Sequence, residues 1–221
     1  MGKSKYQDFL VFDTETGGLP SKANPAFYGV ALTEVALVMV SPELEIVGTD
    51  SFLIKPNYKD GLMYSSKASE VSGITLDMLT KEGITPKVAL DRTLDFINSY
   101  RTSNKKPTLV GHNIRSFDNP FMINWFDFCK EDLYKWVNKL DIDTLDLCHK
   151  VFPEAPYYNL GTMCDQYDIE LTDAHRALPD TIANAELFIK IFKDLRGESE
   201  NKISDKVEEK SIIDKINKFQ F

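Results

Sequence analysis

Two carboxylates two residues apart, Asp13 and Glu15, follow the apolar run Phe9-Leu10-Val11-Phe12 and precede Thr16-Gly17-Gly18-Leu19-Pro20. The run is too short for a helix and is bounded by Gly-Gly and Pro, which predicts a buried central strand. Side chains two apart on a strand share a face. Both acids therefore project together from the strand's C-terminal end, where open α/β sheets place their ligands. Two like charges held together are unfavourable unless a cation lies between them, and oxygen-only ligands suit Mg2+ or Mn2+. The pair reads as half of a metal site. Taken alone, it reads equally well as a strand ending in a polar turn.

Two further constellations carry chemistry. The first is Val110-Gly111-His112-Asn113-Ile114-Arg115-Ser116-Phe117-Asp118-Asn119-Pro120-Phe121-Met122. A strand is expected to end at Gly111, with His112 and Asn113 on the turn and Asp118 on the first turn of the next helix. In isolation Asp118 is a helix N-terminal charge, worth about 0.3–1 kcal/mol against the helix dipole. The second is His175-Arg176-Ala177-Leu178-Pro179-Asp180-Thr181, with His175 before a late helix and Asp180 just inside it. In isolation these are a surface histidine and another N-terminal acid. A rival pair, Asp141 and Asp143, reads better as structural, because Asp143 before Thr144-Leu145 suits a helix N-cap. His112 belongs to its turn and His149 to an ordinary helix.

The elements that must position these groups follow from patterning. Val30–Val40 is mostly apolar, broken by Thr33 and Glu34, and Leu44–Ile54 is rich in strand formers. The short join Ser41-Pro42-Glu43 makes them a hairpin. With the first strand they form an antiparallel meander. Short helices are expected over Ser65–Val71 and Thr75–Glu82, and a longer one over Lys87–Tyr100 behind Pro86. Thr108–Gly111 and Leu140–Ile142 read as short strands. Phe117–Lys130, Thr144–Val151, Tyr158–Tyr167 and Asp180–Leu195 read as helices. Strands first, then strands alternating with helices, indicate a mixed sheet covered by helices.

The chain has 221 residues and a net charge of -8. That length suits one domain with a sizeable core. The charge argues against a wrapper of duplex DNA, which would present a basic face. It does not argue against an enzyme in which cations held by acids meet phosphate. The three cysteines, Cys129, Cys148 and Cys164, lack Cys-x-x-Cys spacing. A reducing, cytoplasmic compartment is the expectation, and no apolar run is long enough to span a bilayer. From Gly197 to Phe221 charged residues dominate, with Ile203, Val207, Ile212, Ile213, Ile216 and Phe219 at roughly amphipathic spacing. That tail or helix either packs on the body, is solvated, or binds a partner.

In this order the three motifs resemble the DEDDh branch of the DnaQ-like 3'–5' exonuclease superfamily. Asp13-Thr14-Glu15-Thr16-Gly17-Gly18-Leu19 is similar to its Asp-x-Glu-Thr-x-Gly-Leu, although Gly17 stands where Thr is commoner. Gly111-His112-Asn113 followed by Phe117-Asp118 is similar to its second motif, and His175-x-Ala177-Leu178-x-Asp180 to its third. The Tyr-containing branch would place Tyr-x3-Asp here. The resemblance runs from about Phe9 to Leu195, which sets the domain at 1–196 and the tail at 197–221.

The resemblance implies a ribonuclease H-like α/β fold, a mixed five-stranded sheet flanked by helices. It makes Asp13, Glu15, Asp118 and Asp180 the ligands of two Mg2+ or Mn2+ ions, and His175 the general base. Two metals about 3.5–4 Å apart can clamp the attacking and leaving oxygens at phosphorus, and histidine titrates near neutrality. Leu19 is matched to packing on the terminal base, Phe117 to stacking, and Asn113 to orienting substrate. Thr16 and Gly18 complete the substrate-binding set. Gly17 and Gly18 either admit a close backbone or simply turn the chain. The expected activity is release of nucleoside 5'-monophosphates from single-stranded 3' ends, since a terminal nucleotide must be unstacked. DNA is favoured and proofreading or end trimming is the setting. The alternatives are an RNA-trimming or oligoribonuclease-like enzyme, and a scaffold subunit of a polymerase complex. A polymerase or another replication protein is the partner expected at the tail, and no membrane is involved.

Overall fold

The apolar run at Phe9 seeds the middle strand of the sheet. In the computed structural model, which describes residues 6–56, 62–171 and 176–197, β1 (Phe9–Thr16) lies between antiparallel β2 (Leu32–Val40) and parallel β4 (Thr108–Gly111). With β3 (Ile46–Leu53) and β5 (Asp141–Asp143) the sheet order is β3-β2-β1-β4-β5. Seven helices are described: α1 (Ser66–Ser72), α2 (Leu76–Lys81), α3 (Pro86–Tyr100), α4 (Asp118–Phe128), α5 (Thr144–Val151), α6 (Leu160–Asp165) and α7 (Ala177–Leu195). None is long and apolar enough to cross a membrane. The expected mixed five-stranded sheet flanked by helices is what forms.

Period-two alternation divides β1 between two cores. Leu10 and Phe12 face α3 and α4, among them Leu90, Phe121, Trp125 and Phe126. Phe9 and Val11 face α7 through Ala185, Phe188 and Phe192. The Phe9 ring lies 4.9 Å from that of Phe188 and 5.8 Å from that of Phe192. Each such fully buried side chain contributes about 1.5–3 kcal/mol of transfer free energy. Helices on both faces explain why every residue of β2 is buried. The other flank of α7 meets α5 and α6 through Cys148, Met163, Cys164 and Leu187. All three cysteines are free thiols.

Local capping sets most helix starts. Thr85, Asp143 and Asn159 each accept the N–H of a residue two or three positions on, the pattern that satisfies orphan donors. Asp143 therefore has its structural reading. Its Oδ1 also accepts the Asn113 N–H at 2.8 Å, which fixes the turn after β4. Asp141 pairs with Arg115 and accepts from the Asn119 amide at 2.9 Å.

Several expected boundaries shift. β2 begins at Leu32 rather than Val30, and β3 covers Ile46–Leu53 rather than Leu44–Ile54. The hairpin join runs further than Ser41–Glu43: Ser41 N–H donates to the Glu45 carbonyl, and Leu44 turns with φ of 62°. A 3-10 turn at Leu133–Lys135 was not expected. The last helix starts at Ala177, three residues before Asp180, for a reason that lies in another strand and bears on the site. The tail beyond Gly197 lies outside the described residues, as does His175.

Candidate active site

β4 pairs with β1 only as far as Val11, so the rest of β1 runs past its neighbour with one edge open. Asp13 and Glu15 lie on that free end, on the α7 face. α7 lies antiparallel to β1: its later residues Phe188 and Phe192 touch Phe9, and its first turn reaches the acids. Asp180 joins them there. One carboxylate oxygen from each of Asp13, Glu15 and Asp180 lies within 4.8 Å of the others.

Asp118 arrives from the opposite layer. It is the first residue of α4, is 3% exposed, and occupies the open edge of β1. Its Oδ1 accepts the Thr14 hydroxyl at 2.6 Å and the Thr14 N–H at 3.1 Å. The structure thus clusters three of the four expected ligands and places the fourth beside them, outside the three-oxygen group but close enough to act on its charge.

The charge problem is severe. Burial, then the charges of Asp118, Glu15, Asp180 and Glu34, hold the Asp13 carboxyl well above the usual range. Burial, helped by Glu34, Asp180 and Asp118, pushes Glu15 up to about 8, against a lowering by Arg176. Burial pushes Asp118 up to about 7, despite the Thr14 hydrogen bonds that favour its charged form. Such a group of half-buried and buried oxygens is a poor place for uncompensated negative charge: it keeps protons at neutral pH, and hard dications can take their place. The donor set fits Mg2+ or Mn2+.

The expected substrate residues differ in exposure and backbone conformation. Leu19 is 76% exposed, large and apolar. Thr16 is buried, and its hydroxyl donates to the Gly18 carbonyl at 2.9 Å. Gly18 has φ of 153°, which favours glycine. Asn113 is exposed with φ of 62°, and Phe117 is half-buried with its ring 5.6 Å from that of Phe121. Phe121 itself is core.

The departure at Gly17 has a steric cause. A Cβ there would meet the Met63 carbonyl oxygen at 2.3 Å and Tyr64 Cα at 2.9 Å. The Gly17 carbonyl also accepts the Ser65 N–H at 2.8 Å, so the segment after β3 is stitched across this turn. Gly17→Ala is expected to destabilise the protein by about 1–3 kcal/mol, the usual cost of forced overpacking. Chemical denaturation of the metal-free protein checks it; an unchanged midpoint would show that the 62–65 segment yields freely.

Two polar residues lie where the sequence put them, Glu34 in the second strand and His112 on its turn, but their partners were not foreseen. Glu34 is buried in β2, directly opposite Glu15, and its carboxylate holds Arg176 and the Ala177 N–H. The visible signal was a lone acid inside an apolar strand. His112 is pinned between the Thr144 hydroxyl at 3.0 Å and the Tyr158 carbonyl at 2.7 Å, and burial lowers its pKa.

Comparison with known proteins agrees with this geometry. Residues 10–188 match the family model RNase_T, described as an exonuclease. The DNA polymerase III PolC-type of Bacillus cereus is 38% identical over 189 residues, covering 86% of this chain and 12% of that protein. The protein of the same name from Bacillus subtilis is 35% identical over 188 residues, covering 85% and 12%. The chain thus spans only 12% of the length of these relatives. Among solved structures, E. coli Exonuclease I in complex with a dT13 oligonucleotide has a TM-score of 0.66 at 22% identity, covering 86% of this chain and 43% of that one. The zinc-bound form of the E. coli ExoI–ssDNA complex has a TM-score of 0.68 at 21% identity, covering 87% and 43%. At those identities the likeness is one of fold.

Proposed function

Because the chain belongs to the exonuclease family, as a DnaQ-like member with a ribonuclease H-like fold, we propose that it removes nucleotides from single-stranded 3' ends as 5'-monophosphates. The observation that carries this reading is the convergence of Asp13, Glu15 and Asp180 with Asp118 beside them. These four residues would hold two Mg2+ or Mn2+ ions. Bound ions supply positive charge to the attacking and leaving oxygens of the scissile phosphodiester.

The remaining roles belong to the chain's own side chains. His175, the residue before Arg176, takes the proton from the attacking water, a task suited to a group titrating near neutrality. Leu19 packs on the terminal base and Phe117 stacks beside it, since every base offers a π-face. Gly18 and Thr16 bring backbone close to the terminal sugar, and Asn113 orients the strand. DNA is favoured over RNA because the similar curated proteins carry DNA polymerase names and the similar solved structures hold DNA oligonucleotides. Those names also favour work beside a polymerase, with residues 198–221 as the docking segment.

The test is digestion of matched 5'-labelled single-stranded DNA and RNA in Mg2+ and, separately, in Mn2+. The expected result is a ladder shortening from the 3' end, with mononucleotide 5'-phosphates as products and DNA cut faster. Faster cutting of RNA would assign the end-trimming of RNA instead. Internal cleavage, or no cleavage with either metal, would overturn the reading.

A further inference from the structure

Arg176, the residue before α7, does not cap the helix with its own side chain, yet the first turn must deliver Asp180 to the acids of β1. The cap comes from across the fold. Glu34 Oε1 accepts from Arg176 Nη2 at 3.0 Å, while Oε2 accepts from Arg176 Nε and from the Ala177 N–H, each at 3.2 Å. A single carboxylate, its side chain 3% exposed, thus grips both the guanidinium before the helix and the first helical amide. A fork-to-carboxylate pair fixes direction as well as distance.

The placement is costly. Glu34 sits opposite Glu15 in register and adds a fifth carboxylate to a crowded region. The glutamate is buried while the Arg176 side chain is 42% exposed, and a pair with one buried partner seldom gives more stability than apolar packing of similar volume. Its return must lie elsewhere. Ala177 is three residues, less than one turn, from Asp180, and Arg176 is covalently next to His175. The large apolar anchors of α7, Phe188 and Phe192, lie about three and four turns beyond Ala177, and the buried side chains of the entry turn itself are small, Ala177 and Thr181.

Resting on the function proposed above, we propose that Glu34 and Arg176 are positioning residues. Their pairing fixes the start of α7, and so aims Asp180 at the metal ions. Neither touches substrate or metal.

The two partners carry opposite charges, which separates positioning from electrostatics. Glu34→Gln removes a negative charge near the site, and Arg176→Gln removes a positive one. Mn2+ affinity is read by calorimetry, with kcat, KM and the metal-free melting temperature alongside. Positioning requires both variants to bind Mn2+ about tenfold more weakly, as loss of groups orienting a ligand usually does, with kcat lowered and KM within about twofold. Arg176→Lys, which keeps the charge but loses the fork, should fall on the same side; being half-exposed, it guards against a Glu34 variant that fails to fold. If Arg176→Gln tightens Mn2+ while Glu34→Gln weakens it, the pair only tunes charge and the proposal fails. Unchanged affinity and kcat in all three also overturn it. A wild-type protein that binds no Mn2+ and cuts no strand would instead overturn the functional reading, and this proposal with it.

Discussion

Asp13→Asn is expected to lower kcat by roughly 10²–10³-fold or more, the scale for removing a preorganised electrostatic group from an active centre. It should do so without unfolding the protein. Asp13 is the acid most crowded by others: Asp118, Glu15, Asp180 and Glu34 all raise its pKa, on top of burial. Asparagine keeps the shape, removes one of the repelling charges and brings amide hydrogens that neighbouring carboxylates can accept. The metal-free variant should therefore melt at or above the wild-type temperature near pH 8, while its stabilisation by Mn2+ disappears. Assay on 5'-labelled single strands and thermal melts with and without Mn2+ check both halves. Retained activity would put the metal ions elsewhere. Lost activity with a lower metal-free melting temperature would mean the charge was holding the fold instead.

Metal removal should produce a pH dependence opposite to that of most proteins. The folded pKa of Glu15 is about 8 and that of Asp118 about 7, with Asp13 also raised. In the unfolded chain such groups titrate near 4. Between those limits the native state binds more protons than the unfolded one, so stability falls as pH rises. For Glu15 and Asp118 the destabilisation is absent below about pH 4 and grows until the pH has passed about 8, with Asp13 adding to it in the same direction. Metal ions need deprotonated carboxylates, so their stabilisation grows over the same window. At a hundredfold excess over Kd it amounts to about 2.7 kcal/mol, or about 5–10 °C in a domain of this size. Melting curves in EDTA should slope downward with pH, and saturating Mn2+ should flatten or reverse that slope. A melting temperature that rises with pH in EDTA would contradict the crowding of these acids.

The parts of the site visible in the sequence are those governed by local periodicity. An apolar run ending in Asp-x-Glu specifies a strand and a shared face within a few residues. Asp143 was legible as a cap for the same reason. The start of α7 was not, because its cap is a carboxylate 143 positions earlier in the chain. A helix whose end is satisfied from a distant strand gives no signal in its own residues. Glu34 did stand out as an acid in an apolar strand, but what it holds depends on the sheet bringing β2 under Arg176. Gly17 is similar. The obstacle to a side chain there is the Met63 backbone, whose nearness no spacing rule reveals. Asp118 lies between these cases. Its motif announced it, whereas its tie to Thr14 follows from β4 stopping short of the end of β1.

The direction of α7 also settles where cargo can hang. At 1.5 Å per residue its 19 residues carry the main chain about 28 Å from the acidic end of β1 to the opposite rim of the sheet. Anything joined after Leu195 is therefore leashed at the back of the molecule. Under the function proposed above, a companion joined there would leave the acidic end of β1 clear for a strand.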